Sequence, residues 1–299
     1  MKMNLVKDVM ARVAGTVAVV LLGAGVFASP DVSAGIANTK HNLGSSAGPA
    51  ERVNSFSGTG EICVFCHTPH GSDTSASVPL WNRVLSSPTI YTTYNSLGTS
   101  SLDGSTAPVG SVSLACLSCH DGTQAMNVMI NQPGSGGYNP AGAALTGTWT
   151  GDHQTDGKIA DGLITLIGKD LRNDHPIGIQ YAGGPKAGTV PAAPAAYAST
   201  AFRDGDFKDT KSAVLNGQSV WWVDTSVGTA GSREKTDMQL YTRADVTSVN
   251  KDGDGNTMTL SGAQPYVECA SCHDPHTENT TFLRIPNTGS AVCLACHTK

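Results

Sequence analysis

The stretch EICVFCHTPHG, residues Glu61–Gly71, holds two cysteines, a histidine directly after the second cysteine, and another histidine three residues later. The Cys-x-x-Cys-His spacing occurs four times in the 299-residue chain. We number these units in chain order: unit 1 is CVFCH (Cys63–His67), unit 2 CLSCH (Cys116–His120), unit 3 CASCH (Cys269–His273) and unit 4 CLACH (Cys293–His297). Together they use all eight cysteines.

Three kinds of chemistry use closely spaced cysteine pairs. Disulfides are common in exported proteins, and a zinc ribbon could combine the pairs of units 3 and 4. Neither explains why a histidine follows every pair. A c-type haem does, because two thiols add to its two vinyl groups and the next histidine is placed to bind the iron.

The sequence therefore predicts four covalently bound c-type haems. The thiols that would carry them are Cys63, Cys66, Cys116, Cys119, Cys269, Cys272, Cys293 and Cys296. The proximal iron ligands would be His67, His120, His273 and His297.

The second axial position of each iron needs another ligand, and the chain has nine histidines, so five remain after the four proximal ones. His153 lies in the polar, turn-rich stretch TGDHQTDG and is expected to be solvated. Bis-histidine haems have lower potentials than those with a thioether ligand. The predicted distal ligands are His41 in TKHNLG, His175 in NDHPIGI, and His70 and His276, which share the context Cys-His-x-Pro-His.

His70 is too close in sequence to His67 to bind the same iron. Three extended residues span at most about 10–11 Å, and the chain would also have to pass around the porphyrin edge. His70 is therefore predicted to bind the iron of a different haem, so that one short motif holds two haems. The same reasoning applies to His276 after unit 3.

The first 34 residues have the pattern of a secretory signal peptide. Basic residues precede an uncharged run at 13–28, and VSA precedes Gly35. A membrane anchor is the alternative, but a spanning helix needs about 20 apolar residues. We predict a tetrahaem domain at 35–299 without a membrane span, secreted or on the outer cell surface. The net charge of −5 argues against a nucleic-acid partner.

The composition predicts a mostly irregular fold. Aromatic residues are 6% and charged residues 14% of the chain. We expect coil with few short helices and a few short β-strands, wrapped around a chain of haems. Gly134–Gly151 and Gly183–Ser199 read as loops, and SVWWVDT, MQLYTR and YVECA as short strands of a β-rich insert at about 200–268. KDGDGN is predicted as a turn rather than a calcium loop, because no downstream glutamate follows.

The motifs KHNL, EICVFCHTPHG, LACLSCHDG, NDHPIGI and CASCHDPH followed by CLACHTK resemble those of the multihaem c-type cytochromes of metal-respiring bacteria, in particular the tetrahaem OmcE-type nanowire cytochromes. The resemblance implies haems in alternating parallel and T-shaped contact. It also implies protomers that join head to tail into extracellular filaments, with an axial histidine crossing the boundary. His41, near the predicted mature start, is the candidate for that role.

These features predict an electron conduit rather than an enzyme. Its partners would be copies of itself, other cytochromes or extracellular electron acceptors. A monomeric periplasmic or outer-surface shuttle would carry the same haems and is the first alternative. A multihaem reductase is the second, but it needs an open axial position, against which the surplus of histidines argues.

Overall fold

Loops, rather than long helices or strands, make up most of this protein. The computed structural model describes residues 35–46, 52–99, 102, 104–134, 136–186, 198–243, 249–251, 257–259 and 264–298. The predicted leader and most of the KDGDGN turn lie outside the described residues, and residues 35–299 form one unit. No helix in the described ranges is long and apolar enough to cross a membrane.

The α-helices of the described chain are short, and each contains all or most of a Cys-x-x-Cys-His unit. They are α1 (Ser111–His120), α2 (Cys269–Cys272) and α3 (Ala291–Cys296). Single 3-10 turns occur at Gly35–Asn38, Cys63–Phe65, Pro88–Ile90, Tyr94–Leu97, Tyr181–Gly183, Ser199–Ala201, Thr280–Phe282 and Thr288–Ser290. The predicted irregular chain with few short helices is confirmed.

The strands are equally short. They are β1 (Ser55–Phe56), β2 (Val128–Asn131), β3 (Tyr138–Ala144), β4 (Trp149–Thr150), β5 (Gln154–Thr155), β6 (Lys158–Ile159), β7 (Ile179–Gln180), β8 (Lys211–Leu215), β9 (Gln218–Val223), β10 (Met238–Thr242), β11 (Val249–Lys251), β12 (Thr257–Thr259) and β13 (Pro265–Val267). Two-stranded antiparallel pairs form between β1 and β4, β2 and β3, β5 and β6, and β11 and β12.

One larger sheet has the antiparallel strand order β7-β13-β10-β9-β8. The strands predicted in SVWWVDT, MQLYTR and YVECA are its members β9, β10 and β13. Between β8 and β9 the two-residue turn Asn216-Gly217 has φ of +50° and +77°. Asn-Gly suits such a turn because both residues must take positive φ.

The segment 134–151 differs from the predicted loop, because it contains β3 and β4. Strand β4 pairs with β1, and the Trp149 ring lies 4.9 Å from the Phe56 ring. Phe56 is fully buried. Burial against a distant segment therefore produces this strand, and local glycine-rich sequence does not report such contacts.

The sheet supports units 3 and 4 through an apolar cluster. Trp221 of β9 and Met238 of β10 are buried in one cluster with Ile285 and Ala295. Ala295 lies inside unit 4, and Ile285 follows unit 3. The sheet thus forms a rigid base for the two C-terminal cysteine pairs.

A buried polar network joins α1 to α2. The Glu268 side chain, directly before Cys269, forms an ion pair with Arg243 at 2.6 Å, and the two side chains are 0% and 2% exposed. Ser113 of α1 donates its hydroxyl to Glu268 and accepts the Cys269 N–H. Arg243 also donates to the Pro108 carbonyl at 2.7 Å. These bonds fix unit 2 against unit 3.

Replacing Glu268 with Ala should destabilise the protein by about 3–5 kcal/mol, because the buried Arg243 charge loses the carboxylate that faces it. Denaturant unfolding of the purified protein, followed by circular dichroism, measures this loss. The matched control is Asp170→Ala in the exposed pair of Asp170 and Arg172, for which we expect little or no change. Equal losses in the two variants would contradict the role given to the network.

Candidate haem-binding site

None of the eight cysteines, all of which lie in the described residues, forms a disulfide. In every unit one helical turn lies between the two cysteines, so that their side chains point to the same side. In units 1, 3 and 4 the helix ends at or just before the second cysteine, and the histidine N–H donates back to the first cysteine's carbonyl at 2.8–3.1 Å. The thiols and the imidazole are thereby presented together, as a covalently bound haem requires.

The zinc-ribbon alternative finds no support in the arrangement of the cysteines. Among the described residues no group of three or more His, Cys, Asp or Glu side chains could hold a metal ion. The cysteines of units 3 and 4 belong to this described set.

Three of the four predicted proximal histidines bond to a backbone carbonyl through Nδ1. His67 faces the Pro79 oxygen at 2.9 Å, His120 the Thr165 oxygen at 2.8 Å, and His273 the Thr281 oxygen at 2.8 Å. A carbonyl only accepts, so Nδ1 carries the proton in each ring. Nε2 is then the unprotonated nitrogen, which is the one that can bind iron.

Units 1 and 3 are built alike beyond their shared motif. In unit 1 the Thr68 N–H donates to Leu80 and the Asn82 N–H to Cys66. In unit 3 the Asp274 N–H donates to Phe282 and the Arg284 N–H to Cys272. In both, the returning segment supplies the carbonyl that holds the proximal imidazole.

The returning segments have the same backbone shape. Leu80 and Phe282 both have φ of +58°, which is rare for residues other than glycine. Sequence reasoning did not find these segments. The available signal was weak: an apolar pair, Leu80-Trp81 or Phe282-Leu283, follows each Cys-His-x-Pro-His motif at a different spacing.

Two of the predicted distal histidines face a proximal one. The ring centroids of His41 and His120 are 6.2 Å apart, with the planes at 70°. Those of His67 and His276 are also 6.2 Å apart, with the planes at 16°. Two imidazoles bound at about 2 Å on opposite sides of one iron have centroids roughly 6 Å apart. The residues therefore fit the group that the motif implies.

The three histidines that remain, His175, His153 and His70, have different surroundings. Burial lowers the pKa of His175, and so do the neighbouring His297 of unit 4 and His273 of unit 3, so His175 lies near both of these units. His153 bonds to the exposed Asp152 at 2.6 Å, as expected for a solvated residue. The exposed His70 ring makes no hydrogen bond, ion pair or ring contact within the described chain.

Burial keeps several of these imidazoles neutral. It lowers the pKa of His41 to about 4, and the neighbouring His120 adds to the effect. Burial also lowers the pKa of His120. His276 is the exception, because its hydrogen bond to Asp274 raises its pKa. Only the neutral ring binds a metal, so His41 and His120 are already in the ligand form.

The thiols of each unit shift the pKa values of thiols in the next unit along the chain. Burial raises the pKa of Cys66 to about 12, and Cys119 adds to it. A hydrogen bond that the Cys116 thiol donates to Cys269 is the largest cause of the raised pKa of Cys116. Burial raises the pKa of Cys296 to about 12, with Cys272 as the next cause. Unit 1 therefore lies beside unit 2, unit 2 beside unit 3, and unit 3 beside unit 4.

A family model described as a doubled CXXCH motif matches residues 264–299, which contain units 3 and 4. No protein in a comparison with curated sequences matches the chain. The matched motif indicates covalently bound c-type haem and suggests a multihaem cytochrome that carries electrons rather than an enzyme. The short helices, loops and small strands are compatible with such a cytochrome.

Proposed function

We propose that this protein is a secreted tetrahaem cytochrome that conducts electrons through four bis-histidine c-type haems. The observation that carries the proposal is the 6.2 Å spacing of two separate proximal–distal histidine pairs. When bound, each haem supplies a one-electron couple between Fe(III) and Fe(II). Histidines on both sides of the iron leave no open position for a substrate, which favours electron transfer over catalysis.

The chain's own residues would hold the haems as follows. His41 pairs with His120 at unit 2, and His276 pairs with His67 at unit 1. His175 lies near His297 and His273, and we assign it to unit 4 because His297 affects its pKa more than His273 does. Each cysteine pair fixes one porphyrin edge. The electrostatic influence of the thiols of successive units on one another supports a haem order that follows the sequence, which would keep neighbouring haems close enough for electron transfer.

Unit 3 is left without a distal histidine from its own chain in this assignment. His70, the equivalent of His276 in the duplicated motif, is exposed and has no partner for its ring in the described chain. A ligand on one surface and an open haem on another make a heterologous contact, which generates open filaments when the rotation does not close. We therefore propose that copies join head to tail into an extracellular filament.

This assignment changes which histidine we expect to bind a haem of the neighbouring copy. The family resemblance made His41 the candidate, but His41 lies against His120 of its own chain and its ring stacks on Phe282 at 4.1 Å. We give the role to His70 instead. If copies do not join, the same chain would act as a monomeric shuttle with His70 or an external ligand at unit 3.

The first test counts the haems. We expect purified secreted protein to have the mass of residues 35–299 plus four haems, and the Cys116→Ala, Cys119→Ala double variant to lose one of them. Mass spectrometry under denaturing conditions measures both, since thioether bonds survive unfolding. A mass with only two haems, or with none, would refute the tetrahaem proposal.

The second test concerns distal ligation. His276→Ala removes the imidazole that faces His67, so one haem in the oxidised protein should change from low-spin to high-spin. Absorption and paramagnetic resonance spectra report this change. His153→Ala is the control and should give the spectrum of the unsubstituted protein, because His153 bonds to Asp152. An unchanged spectrum for His276→Ala would remove His276 from the ligand set.

The third test separates the two boundary candidates. His70→Ala should abolish filaments seen by electron microscopy while the haems at units 1, 2 and 4 stay low-spin. His41→Ala should instead make the unit 2 haem high-spin in isolated protomers. Filaments formed by His70→Ala, together with their loss in His41→Ala, would return the boundary role to His41. Native material without filaments would favour the shuttle.

A further inference from the structure

Arg83 is a charged residue with no exposed surface. Its side chain is 0% exposed, and it follows the segment that returns to unit 1. All five of its N–H donors are used. They bond to the Ser118 hydroxyl at 3.2 Å and to the carbonyls of Ser118, Ala125, Met126 and Val128 at 2.9–3.0 Å.

The hydrogen-bond partners of Arg83 are all neutral. The other deeply buried arginine, Arg243, faces the Glu268 carboxylate at 2.6 Å. An arginine stays protonated inside proteins. Arg83 therefore carries a full positive charge into the interior, and only neutral dipoles solvate it through hydrogen bonds.

This charge lies between the first two haem attachment units. Ser118 stands between Cys116 and Cys119 in unit 2, so the guanidinium contacts that unit directly. On the other side, Asn82 donates its N–H to the Cys66 carbonyl of unit 1 at 2.9 Å. The Arg83 charge also opposes the burial that raises the pKa of Cys66, which agrees with this position.

A buried cation changes the energy of a nearby redox centre. The oxidised form of a haem carries one positive charge more than the reduced form, and charges interact more strongly in the protein interior than in water. We propose that Arg83 raises the reduction potentials of the haems at units 1 and 2, so that electrons rest preferentially on that half of the chain. This inference rests on the proposed tetrahaem function.

One negative group acts against Arg83 at unit 2. Asp121, 6% exposed, directly follows His120 and accepts a hydrogen bond from the Tyr91 hydroxyl at 2.8 Å. Ser86 and Thr123 also donate to this carboxylate. The charge of Asp121 partly offsets that of Arg83 there, so the net rise in reduction potential should be larger at unit 1 than at unit 2.

The test is a redox titration of the haem-loaded protein, followed by haem absorption. Arg83→Gln should lower the midpoints of two of the four haems and leave the other two unchanged. Arg172→Gln, at the exposed pair with Asp170, is the control and should move none. Unchanged midpoints in folded, four-haem Arg83→Gln would overturn the inference. If the unsubstituted protein does not carry four haems, the proposed function itself is refuted.

The Arg83→Lys variant distinguishes an effect of charge from an effect of packing. It is also the test to use if Arg83→Gln does not fold. A lysine keeps the charge, but unlike arginine it loses its proton readily when buried. Near neutral pH its two midpoints should lie closer to the wild type than those of Arg83→Gln. They should fall with rising pH more steeply than the wild-type midpoints do, because the lysine loses its charge. Midpoints at low pH as low as in Arg83→Gln would show that packing, not charge, is responsible.

Discussion

A histidine can serve a metal only when the correct nitrogen is free and the ring is held still, and here backbone carbonyls meet both requirements. The oxygens of Pro79, Thr165 and Thr281 accept the Nδ1 proton of three proximal rings. Each carbonyl lies on a loop 8 or more residues away, so the loops must be in place before the imidazoles are oriented. This explains how a fold with little regular structure can still position its ligands.

Buried polar contacts hold parts of this fold together, a role that an apolar core has in other domains. The pair Arg243–Glu268 joins units 2 and 3, and Arg83 joins units 1 and 2 through backbone carbonyls. Both arginines use geometry that a lysine cannot reproduce, since the guanidinium offers five donors in fixed directions. The spacing of unit 1 to unit 2 and of unit 2 to unit 3 is thus set by hydrogen bonds, which are more directional than apolar contacts.

The sequence predicted the attachment residues because their chemistry fixes a short local spacing, and it predicted β9, β10 and β13 from local apolar pattern. It did not predict the burial of Arg83, because burial of a charge depends on carbonyls more than 30 residues away. The carbonyl partners were missed for a related reason: any residue offers a carbonyl, so no side chain marks them. The strand at Tyr138–Ala144 was missed because its pairing with β2 is decided by tertiary contacts.

The duplicated motif of units 1 and 3 gives the proposed filament a chemical polarity. In the proposed assignment, one copy of the motif would use its second histidine, His276, within the chain, and the other would present His70 to a neighbouring copy. A filament of any length then ends in an unused imidazole at one tip and an iron lacking a sixth ligand at the other. Small molecules such as carbon monoxide would bind only at the second tip, so the fraction of reactive haem would report filament length.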